Sequence, residues 1–318
     1  MASYSIKKDR RNFETDFEKK VWKILSNEQF FQEERTKEEW KDLYRWAYGC
    51  VMSRSFGPQS DPPEEDDEME ENDEEKQEED RDSCCYPLID FINGTPASFE
   101  NVELEITDNE VSIVTNQKIG SGEQLFLNYG EKSNGDLLQM YGFTFPKNPN
   151  LEAAIDITTW FDSLSETTIS CLDRKIEFLI DHRFLDAEDR IFYISGSALT
   201  IGTDTTINLA TFDDDSLLVV LKVIYFDEEE FDMFAEGDII FNPIQLPCAN
   251  ITLVNQTFHH LINQVRLKLS PSKSKDDSEL TSVQKQKKHA ADIVKENERN
   301  FLGLLDELVD CILAPLAW

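Results

Sequence analysis

Basic residues are scarce in this chain. Its 318 residues include 31 Lys and Arg against 64 Asp and Glu, which gives a formal net charge of −33 at pH 7. Nucleic acids and anionic membrane surfaces are bound mainly through Lys and Arg, so this balance argues against both as general partners. The charge favours a basic protein partner instead, because it would attract such a partner and speed the encounter.

The acidic charge is concentrated in one segment. Positions 61–82 contain 15 Asp and Glu against only Lys76 and Arg81, so the segment carries −13 and the remainder of the chain −20. A run of like charge with so few apolar residues is typical of a disordered, self-repelling loop. The same charge would also attract a basic tail or substrate, and the two interpretations are compatible.

The chain also lacks the cysteine spacing of a zinc site and the apolar segments of a secretory signal or a membrane helix. Its six cysteines include no Cys-x-x-Cys pair, and no histidine lies near Cys84 and Cys85 at the spacing of a zinc site. We therefore predict reduced thiols, no metal, and a cytoplasmic or nuclear location, or both. There is no apolar amino-terminal segment typical of a secretory signal and no apolar run of about 18–20 residues, so no membrane partner is expected.

Hydrophobic periodicity predicts helices at both ends of the chain. Near the start, a helix is expected within 16–52, and beyond 151 the helical period returns, at 172–184, 216–234, 258–269 and 283–313. The first helix carries a stripe expected to face a core, formed by Trp40, Leu43, Tyr44, Ala47, Cys50 and Val51.

Between these helical regions the period changes. Apolar and acidic residues alternate at 102–106, and a turn leads to a second predicted strand at 111–114. A short strand is expected at 125–129. A helical turn follows at 133–140, capped by Ser133 or Asn134.

Common catalytic motifs are absent. None of the four histidines lies in His-Glu-x-x-His or in a Ser/His/Asp constellation, and there is no phosphate-binding loop. The segment Gly120-Ser-Gly122 is not a dinucleotide fingerprint and is better interpreted as a turn between strands.

Three other segments are more specific, and they occur in order. The first is Trp-Ala-Tyr-Gly-Cys-Val-Met-Ser-Arg-Ser-Phe at 46–56, and the second is Leu-Ile-Asp-Phe-Ile-Asn-Gly at 88–94. The third is Ile-Gly-Ser-Gly-Glu-Gln-Leu-Phe-Leu-Asn-Tyr-Gly at 119–130, followed by Ser133-Asn134 and Tyr141-Gly142-Phe143. Together they resemble the SET-domain protein methyltransferases, especially the subfamily typified by the Rubisco large-subunit lysine methyltransferase. That subfamily includes fungal ribosomal-protein lysine methyltransferases and the actin-histidine methyltransferase.

The resemblance, which extends over about 40–308 apart from the acidic loop, implies an α+β fold in two domains. Residues 1–147 would form a partial SET domain of small β-sheets with inserted helices. Its predicted parts are a helical insert at 1–57, the acidic disordered loop at 58–84 and the carboxy-terminal SET half at 85–147. Residues 148–318 would form a mainly helical substrate-binding domain of the Rubisco LSMT type. Family members begin upstream with strands and a Gly-x-Gly segment, so we expect this chain to lack the amino-terminal part of the SET fold.

The resemblance also implies a cofactor and a site. The cofactor would be S-adenosylmethionine, and Tyr129 matches the catalytic tyrosine of the family. Gly94 replaces the usual histidine of the Asn-His pair, which removes the imidazole but leaves the backbone N–H and C=O. The simpler interpretations are a surface arginine for Arg54 and core packing for the aromatic residues. The positions that match cofactor-binding residues are Arg54, Asp90, Asn93, Gly94, Tyr129, Tyr141 and Phe143.

The reaction implied is a displacement in which a neutral lysine nitrogen attacks a sulfonium methyl group. The site must desolvate the amine, favour its uncharged form and align the reacting atoms. A tyrosine hydroxyl can orient the amine, and aromatic faces tolerate cationic sulfonium and methylammonium groups.

Two functional hypotheses follow. The first is a monomeric, S-adenosylmethionine-dependent protein-lysine N-methyltransferase that modifies a basic non-histone protein, with a ribosomal protein as one candidate. The second is a truncated or degenerate SET-fold module that is catalytically inactive and binds a basic partner. Lysine is favoured over histidine as the target only by the family. An acidic chaperone without SET ancestry would not explain the Tyr-Gly-Phe series.

Overall fold

A computed structural model describes most of the chain outside the acidic segment. For positions 197–201, 204–208 and 308–312 it describes the backbone alone. The loop predicted at 58–84 lies outside the described residues except for Cys84, and so does part of the predicted first helix, 27–34. The described residues are 13–26, 35–56, 84–107, 110–187, 189–201, 204–208, 216–237, 246, 248–270 and 280–312.

Internal contacts divide the chain into two units. The amino-terminal unit comprises the described residues of Asp9–Glu131 together with Gln139–Gly142. The carboxy-terminal unit comprises Lys132–Leu138 and the described residues from Phe143 onward. The domain boundary at 147/148 stays a prediction.

The amino-terminal unit begins with two helical segments. A π-helical turn at Phe17–Val21 continues into the short helix α1 (Trp22–Leu25), and α2 follows at Lys37–Arg54. A capping box starts α2. The Glu39 N–H donates to the Thr36 hydroxyl oxygen, and the Thr36 N–H donates to the Glu39 carboxylate at 2.7 Å.

The stripe of α2 is less buried than its periodicity predicts. Tyr44 stacks on Phe13 with ring centroids 5.0 Å apart and also contacts the buried Phe17. No residue of α2 is fully buried, and Val51 is 54% exposed. The prediction of a core-facing helix is therefore wrong for the described part of the chain, where α2 packs on the short segment 13–26 through its aromatic side chains.

Three two-stranded sheets complete the described part of the amino-terminal unit. The strands β1 (Ser55–Phe56) and β2 (Cys84–Cys85) are antiparallel, as are β4 (Val102–Ile106) and β5 (Val111–Thr115). The strands β3 (Asn93–Thr95) and β6 (Phe126–Asn128) are parallel. The strands predicted at 102–106, 111–114 and 125–129 are confirmed. In β4 the alternation has the expected cause, since Val102 is buried and Glu103 and Glu105 are exposed.

The carboxy-terminal unit contains a sheet that periodicity did not predict. The strands β7 (Asn150–Asp156), β8 (Ile191–Ile201) and β9 (Asp204–Asn208) form an antiparallel sheet in that order. Periodicity predicts no strand in this region, and the helices that it predicts account for only part of the unit. Ala153, Ala154 and Ile155 are buried at successive positions, so β7 lacks the alternation that identifies a half-buried strand.

Helices of this unit pack against β7 of the sheet. The helix α3 (Asn134–Met140) begins in this unit, and the predicted helices are confirmed with 216–234 divided in two. Among the helices of the described chain, none combines the length and apolar character required to cross a membrane. The remaining helices are α4 (Thr158–Phe161), α5 (Leu172–Asp181), α6 (Ser216–Tyr225), α7 (Glu228–Glu236), α8 (Ile251–Lys268) and α9 (Ser282–Ile312).

Two lysines are buried in the core around α6. The Lys175 ammonium donates to the carbonyl oxygens of Ile224 at 3.2 Å and Phe226 at 2.6 Å, where a positive charge suits the carboxy-terminal end of a helix. The Lys222 ammonium donates to the Leu246 carbonyl at 2.9 Å. Burial lowers the pKa of Lys175, and it lowers the pKa of Lys222 to about 8.

Candidate functional site

An ion pair joins the first two sequence motifs. Arg54 ends α2, and Asp90 lies in a 3₁₀ turn at Ile89–Phe91. The Arg54 guanidinium donates through Nη1 to Asp90 twice, to the carboxylate Oδ2 and to the carbonyl oxygen, both at 3.0 Å. It also lies over the Phe91 ring, 5.5 Å from its centroid. With 44% of the Arg54 side chain exposed, the pair is hydrated, and its main effect is to fix the geometry of the turn.

The β1–β2 pairing brings these two residues together. Ser55 follows Arg54 directly and pairs with Cys85, while Phe56 pairs with Cys84. The next residue along, Tyr86, packs its ring against Phe56 at 5.5 Å between centroids. The Tyr86 carbonyl then accepts from the Asp90 N–H at 3.2 Å.

The parallel pair β3–β6 joins the second and third motifs. Asn93 pairs with Phe126 and Gly94 with Leu127, so the Asn-Gly dipeptide runs beside the strand that leads into Tyr129. The Asn93 side chain is exposed and Gly94 is partly exposed. Gly94 lies opposite Leu127 in the strand pair, and the position contributes no side chain to the surface.

Asn101, which the sequence did not single out, holds β6 in place. Its amide oxygen accepts from the Phe126 N–H at 2.7 Å, and its Nδ2 donates to the Gln124 carbonyl at 2.9 Å. Its own backbone N–H donates to the Phe126 carbonyl at 3.1 Å. An isolated asparagine after a turn carries no pattern that would have identified this function.

Tyr129 lies at the end of β6 with its hydroxyl directed by the backbone. The hydroxyl donates to the Ile92 carbonyl at 2.5 Å. The Tyr129 and Tyr141 rings are 4.8 Å apart at 45°. Burial raises the pKa of Tyr129, and the Tyr141 hydroxyl raises it further, against a smaller lowering by Arg54. Burial also raises the pKa of Tyr141. Both phenols therefore remain neutral at physiological pH and can act as donors.

Each of these tyrosines is followed by a glycine in a left-handed conformation. Gly130 has φ 91° and Gly142 has φ 81°. Residues with a Cβ adopt this conformation at a cost that glycine avoids. The repeated Tyr-Gly dipeptide therefore marks two sharp changes of chain direction, one after each ring.

The Ser-Asn motif lies in the carboxy-terminal unit and has a structural explanation there. Ser133 caps α3, since its hydroxyl oxygen accepts from the Asp136 N–H at 3.2 Å. Asn134 is buried and bonds both backbone groups of Phe145, donating to its carbonyl at 2.7 Å and accepting from its N–H at 2.8 Å. Of the two capping residues considered, Ser133 is confirmed. Phe143 belongs to this unit, and its ring packs edge to face on Phe145.

A half-buried carboxylate lies beside this motif. Burial raises the pKa of Glu152 on β7 to about 7, with smaller contributions from Asp136 and Glu298, and a hydrogen bond with Ser133 opposes the shift. Because the folded-state pKa exceeds the unfolded value, the stabilisation is present below about pH 4.5 and is lost as the pH rises through about 7.

Replacing Glu152 by glutamine should remove this pH dependence. The free energy of unfolding of the wild type should fall between pH 5 and pH 8 by up to about 3 kcal/mol more than that of Glu152→Gln. Urea denaturation at both pH values measures the difference. Glu177→Gln, at an exposed position on α5, serves as the control. An equal pH dependence in Glu152→Gln and wild type would contradict the assignment.

Among the described side chains, no three from His, Cys, Asp and Glu come together as a set of metal ligands. The expectation of a metal-free protein remains a prediction.

The chain matches known proteins both in sequence and in fold. No family profile matches the chain. It is 28% identical to N-lysine methyltransferase setd6 of Xenopus laevis over 159 residues, which cover 48% of the chain and 32% of that protein. It is 30% identical to ribosomal lysine N-methyltransferase set11 of Schizosaccharomyces pombe over 98 residues, 31% of the chain and 23% of that protein.

The fold also matches a solved structure. The SET domain of LSMT bound to lysine and AdoHcy superposes with a TM-score of 0.56 at 16% identity, over 97% of the chain and 62% of that structure. These comparisons confirm the resemblance to SET-domain lysine methyltransferases of the Rubisco and ribosomal-protein group, and they confirm the α+β fold. The chain spans about a third or less of the length of the two curated relatives described.

Proposed function

We propose that the chain acts as an S-adenosylmethionine-dependent protein-lysine N-methyltransferase with Tyr129 as its catalytic residue. The observation that carries the proposal is the Tyr129 hydroxyl bonded to the Ile92 carbonyl and flanked by the Tyr141 ring. The names of the relatives support it, since both are lysine methyltransferases. The bound lysine and AdoHcy of the matching LSMT structure support it as well.

The side chains of the amino-terminal unit fit the chemistry of this cofactor. S-adenosylmethionine carries a carboxylate, an ammonium, hydroxyl groups and a sulfonium cation, and when bound it supplies a methyl group that a nucleophile can attack. Arg54 offers a guanidinium for a carboxylate, Asn93 an exposed amide, and Gly94 its backbone. Phe143 is included from the resemblance alone. The proposed cofactor-binding residues are Arg54, Asp90, Asn93, Gly94, Tyr129, Tyr141 and Phe143.

The geometry of Tyr129 suggests how it acts. Its hydroxyl hydrogen is directed to the Ile92 carbonyl, and a phenol oxygen in this donor geometry can also accept a hydrogen bond. An acceptor of this kind can bond an amine N–H and direct the nitrogen lone pair toward the methyl group. Partial burial favours the uncharged amine over the ammonium. The neighbouring Tyr141 face stabilises positive charge as a methylammonium forms.

The substrate we propose is a basic protein, with a ribosomal protein as one candidate. The chain carries −33 in all and −13 in the 61–82 segment. The nearest described residues on either side of that segment, Phe56 and Cys84, pair in β1–β2, which begins one residue after Arg54. Negative charge attached at this position would raise the local concentration of a basic substrate near the proposed site. We extend the proposal to a monomer acting in the cytoplasm or nucleus.

Gly94 favours one alternative. It stands where the family has a histidine, so a contact normally made by that imidazole is missing. A chain that binds the cofactor too weakly for turnover would act as an interaction module for the same basic partner.

A titration followed by a transfer assay separates these two functions. Binding of S-adenosylhomocysteine is measured by calorimetry for the wild type, for Arg54→Met and for the control Arg190→Met, whose arginine pairs with Asp162 in the carboxy-terminal unit. We expect the wild type to bind this ligand. Arg54→Met should weaken the binding by about 10-fold or more, and Arg190→Met should leave it unchanged. Absence of binding in the wild type would contradict the enzyme hypothesis.

Methyl transfer is then measured to lysine peptides flanked either by Lys and Arg or by Asp and Glu. The basic peptide should be preferred. Deleting 61–82 should raise its KM several-fold at low salt and much less at about 0.5 M salt, where charge is screened. Equal use of both peptides would contradict the proposed substrate class without affecting the assignment of the reaction.

A further inference from the structure

Two adjacent cysteines form the whole of β2. Cys84 and Cys85 are both exposed, and neither forms a disulfide. Their strand is held against β1 by the pairing of Cys85 with Ser55 and of Cys84 with Phe56. Neither thiol has a function in the proposed methyl transfer.

The β2 backbone is part of the framework that holds the Arg54–Asp90 ion pair. On one side, Ser55 is the residue after Arg54. On the other, Tyr86 follows Cys85, packs on Phe56 and accepts the Asp90 N–H through its carbonyl. Loss of the β1–β2 pairing would therefore remove the connection that brings the arginine and the aspartate to each other.

A disulfide between adjacent cysteines is incompatible with this strand. Successive side chains of an extended strand point to opposite faces. A disulfide requires its two Cβ atoms to be about 3.5–4.5 Å apart. The bond can close only if the backbone at 84–85 leaves the extended conformation, and this breaks its register with Ser55 and Phe56.

We propose that Cys84 and Cys85 are a redox-sensitive modification site, whose oxidation to a vicinal disulfide releases β2 from β1 and loosens the Arg54–Asp90 pair. The effect on cofactor binding rests on the proposed function, whereas the effect on β1–β2 does not.

Oxidised glutathione is a sufficient oxidant. The thiolate of one cysteine attacks the glutathione disulfide, forms a mixed disulfide and releases one glutathione thiolate, which takes up a proton. The thiolate of the second cysteine attacks the cysteine sulfur of that mixed disulfide, closes the vicinal bond and releases the second glutathione. The two cysteine thiols lose two electrons and two protons in total, and one glutathione disulfide becomes two thiols.

Strain makes the bond reversible. A vicinal disulfide closes a small ring that distorts the intervening peptide unit, and strained disulfides are reduced more readily than relaxed ones. Under ordinary reducing conditions the two thiols would therefore stay reduced and β2 would stay paired with β1. The vicinal disulfide would form only when the ratio of oxidised to reduced glutathione rises.

The test uses the full chain equilibrated in glutathione buffers of increasing oxidation. Free thiols are blocked with an alkylating reagent, and the peptide containing 84–85 is analysed by mass spectrometry for the loss of two hydrogen atoms. Amide hydrogen exchange at 55–56 and 84–86 is followed in parallel. We expect the vicinal disulfide in the oxidising buffers, with exchange at these positions faster by about tenfold and restored by dithiothreitol.

Two variants control for other thiols. Cys85→Ser should form no such disulfide and show no faster exchange, whereas Cys171→Ser, in the other unit, should behave as the wild type. Separate glutathionylation of each cysteine, or a vicinal disulfide without faster exchange at 55–56, would overturn the proposal. Titration with S-adenosylhomocysteine in both redox states distinguishes the redox proposal from the proposed function. If the reduced chain does not bind it, the proposed function fails while the redox result still stands.

Discussion

Phenylalanine in place of Tyr129 should lower methyl-transfer turnover by about 100-fold or more while leaving the protein folded. The substitution removes the oxygen that we propose as the acceptor for the amine, and loss of one well-placed polar group in an active site commonly has an effect of this size. The ring stays, so its packing on Tyr141 is retained. The lost hydrogen bond to Ile92 should cost only about 1 kcal/mol of unfolding free energy.

Tyr225→Phe provides the matched control. Its hydroxyl also lies in a hydrogen bond, with the Thr257 hydroxyl at 2.7 Å, but in the core of the carboxy-terminal unit. This variant should lose similar stability and keep its turnover. Single-turnover transfer rates and urea denaturation of both variants measure the two effects. Unchanged turnover in Tyr129→Phe would remove Tyr129 from the mechanism.

Alanine in place of Asn134 should cost about 2–5 kcal/mol of unfolding free energy, the largest stability effect we expect from a single polar substitution. The side chain satisfies both the N–H and the C=O of Phe145, and each buried group left without a partner costs about 1–3 kcal/mol. A small cavity would add to this cost. Aspartate at the same position keeps the acceptor but places a buried carboxylate oxygen against the Phe145 carbonyl, so at neutral pH Asn134→Asp should be destabilised at least as much as Asn134→Ala.

Asn263→Ala is the appropriate control for this measurement. Asn263 is an exposed helical asparagine of the same unit, and its replacement should change stability by no more than about 0.5 kcal/mol. Thermal and urea unfolding of the three variants give the comparison. An Asn134→Ala variant as stable as Asn263→Ala would show that Phe145 finds other partners.

Local patterns predicted the elements whose cause is local. The β4–β5 hairpin was predictable because one face of β4 is buried and the other is solvated, as at Val102 and Glu103. Ser133 was predictable as a cap because a serine before a helical turn satisfies a free N–H. The long helix at Ser282–Ile312 was predictable from its apolar stripe.

The features of the fold that could not be predicted depend on residues that are far apart in the chain. Nothing in Asn93 or Phe126 indicates that β3 and β6 pair in parallel, because the partners are more than 30 residues apart in the chain. β7 is buried on both faces and shows no alternation. The stripe of α2 correctly predicts a helix, but it does not indicate how much of the stripe a neighbour covers.

The candidate site also has a part that could be predicted and a part that could not. The resemblance supplied all seven residues, and the structure brings Arg54 to Asp90 and Tyr129 to Tyr141. Phe143 lies in the carboxy-terminal unit. The Ile92 carbonyl could not have been predicted from side-chain patterns, because every residue has a carbonyl and only the fold selects this one.

The two buried lysines have a consequence for chemical labelling. Lys175 and Lys222 have their amines enclosed by the core and bonded to carbonyl oxygens, so a water-soluble amine reagent can reach them only after the carboxy-terminal unit opens. Their slow acylation, set against the rapid acylation of exposed lysines, would time that opening in the unmodified protein. In a chain proposed to methylate lysine, the same enclosure keeps these two amines out of its own reaction.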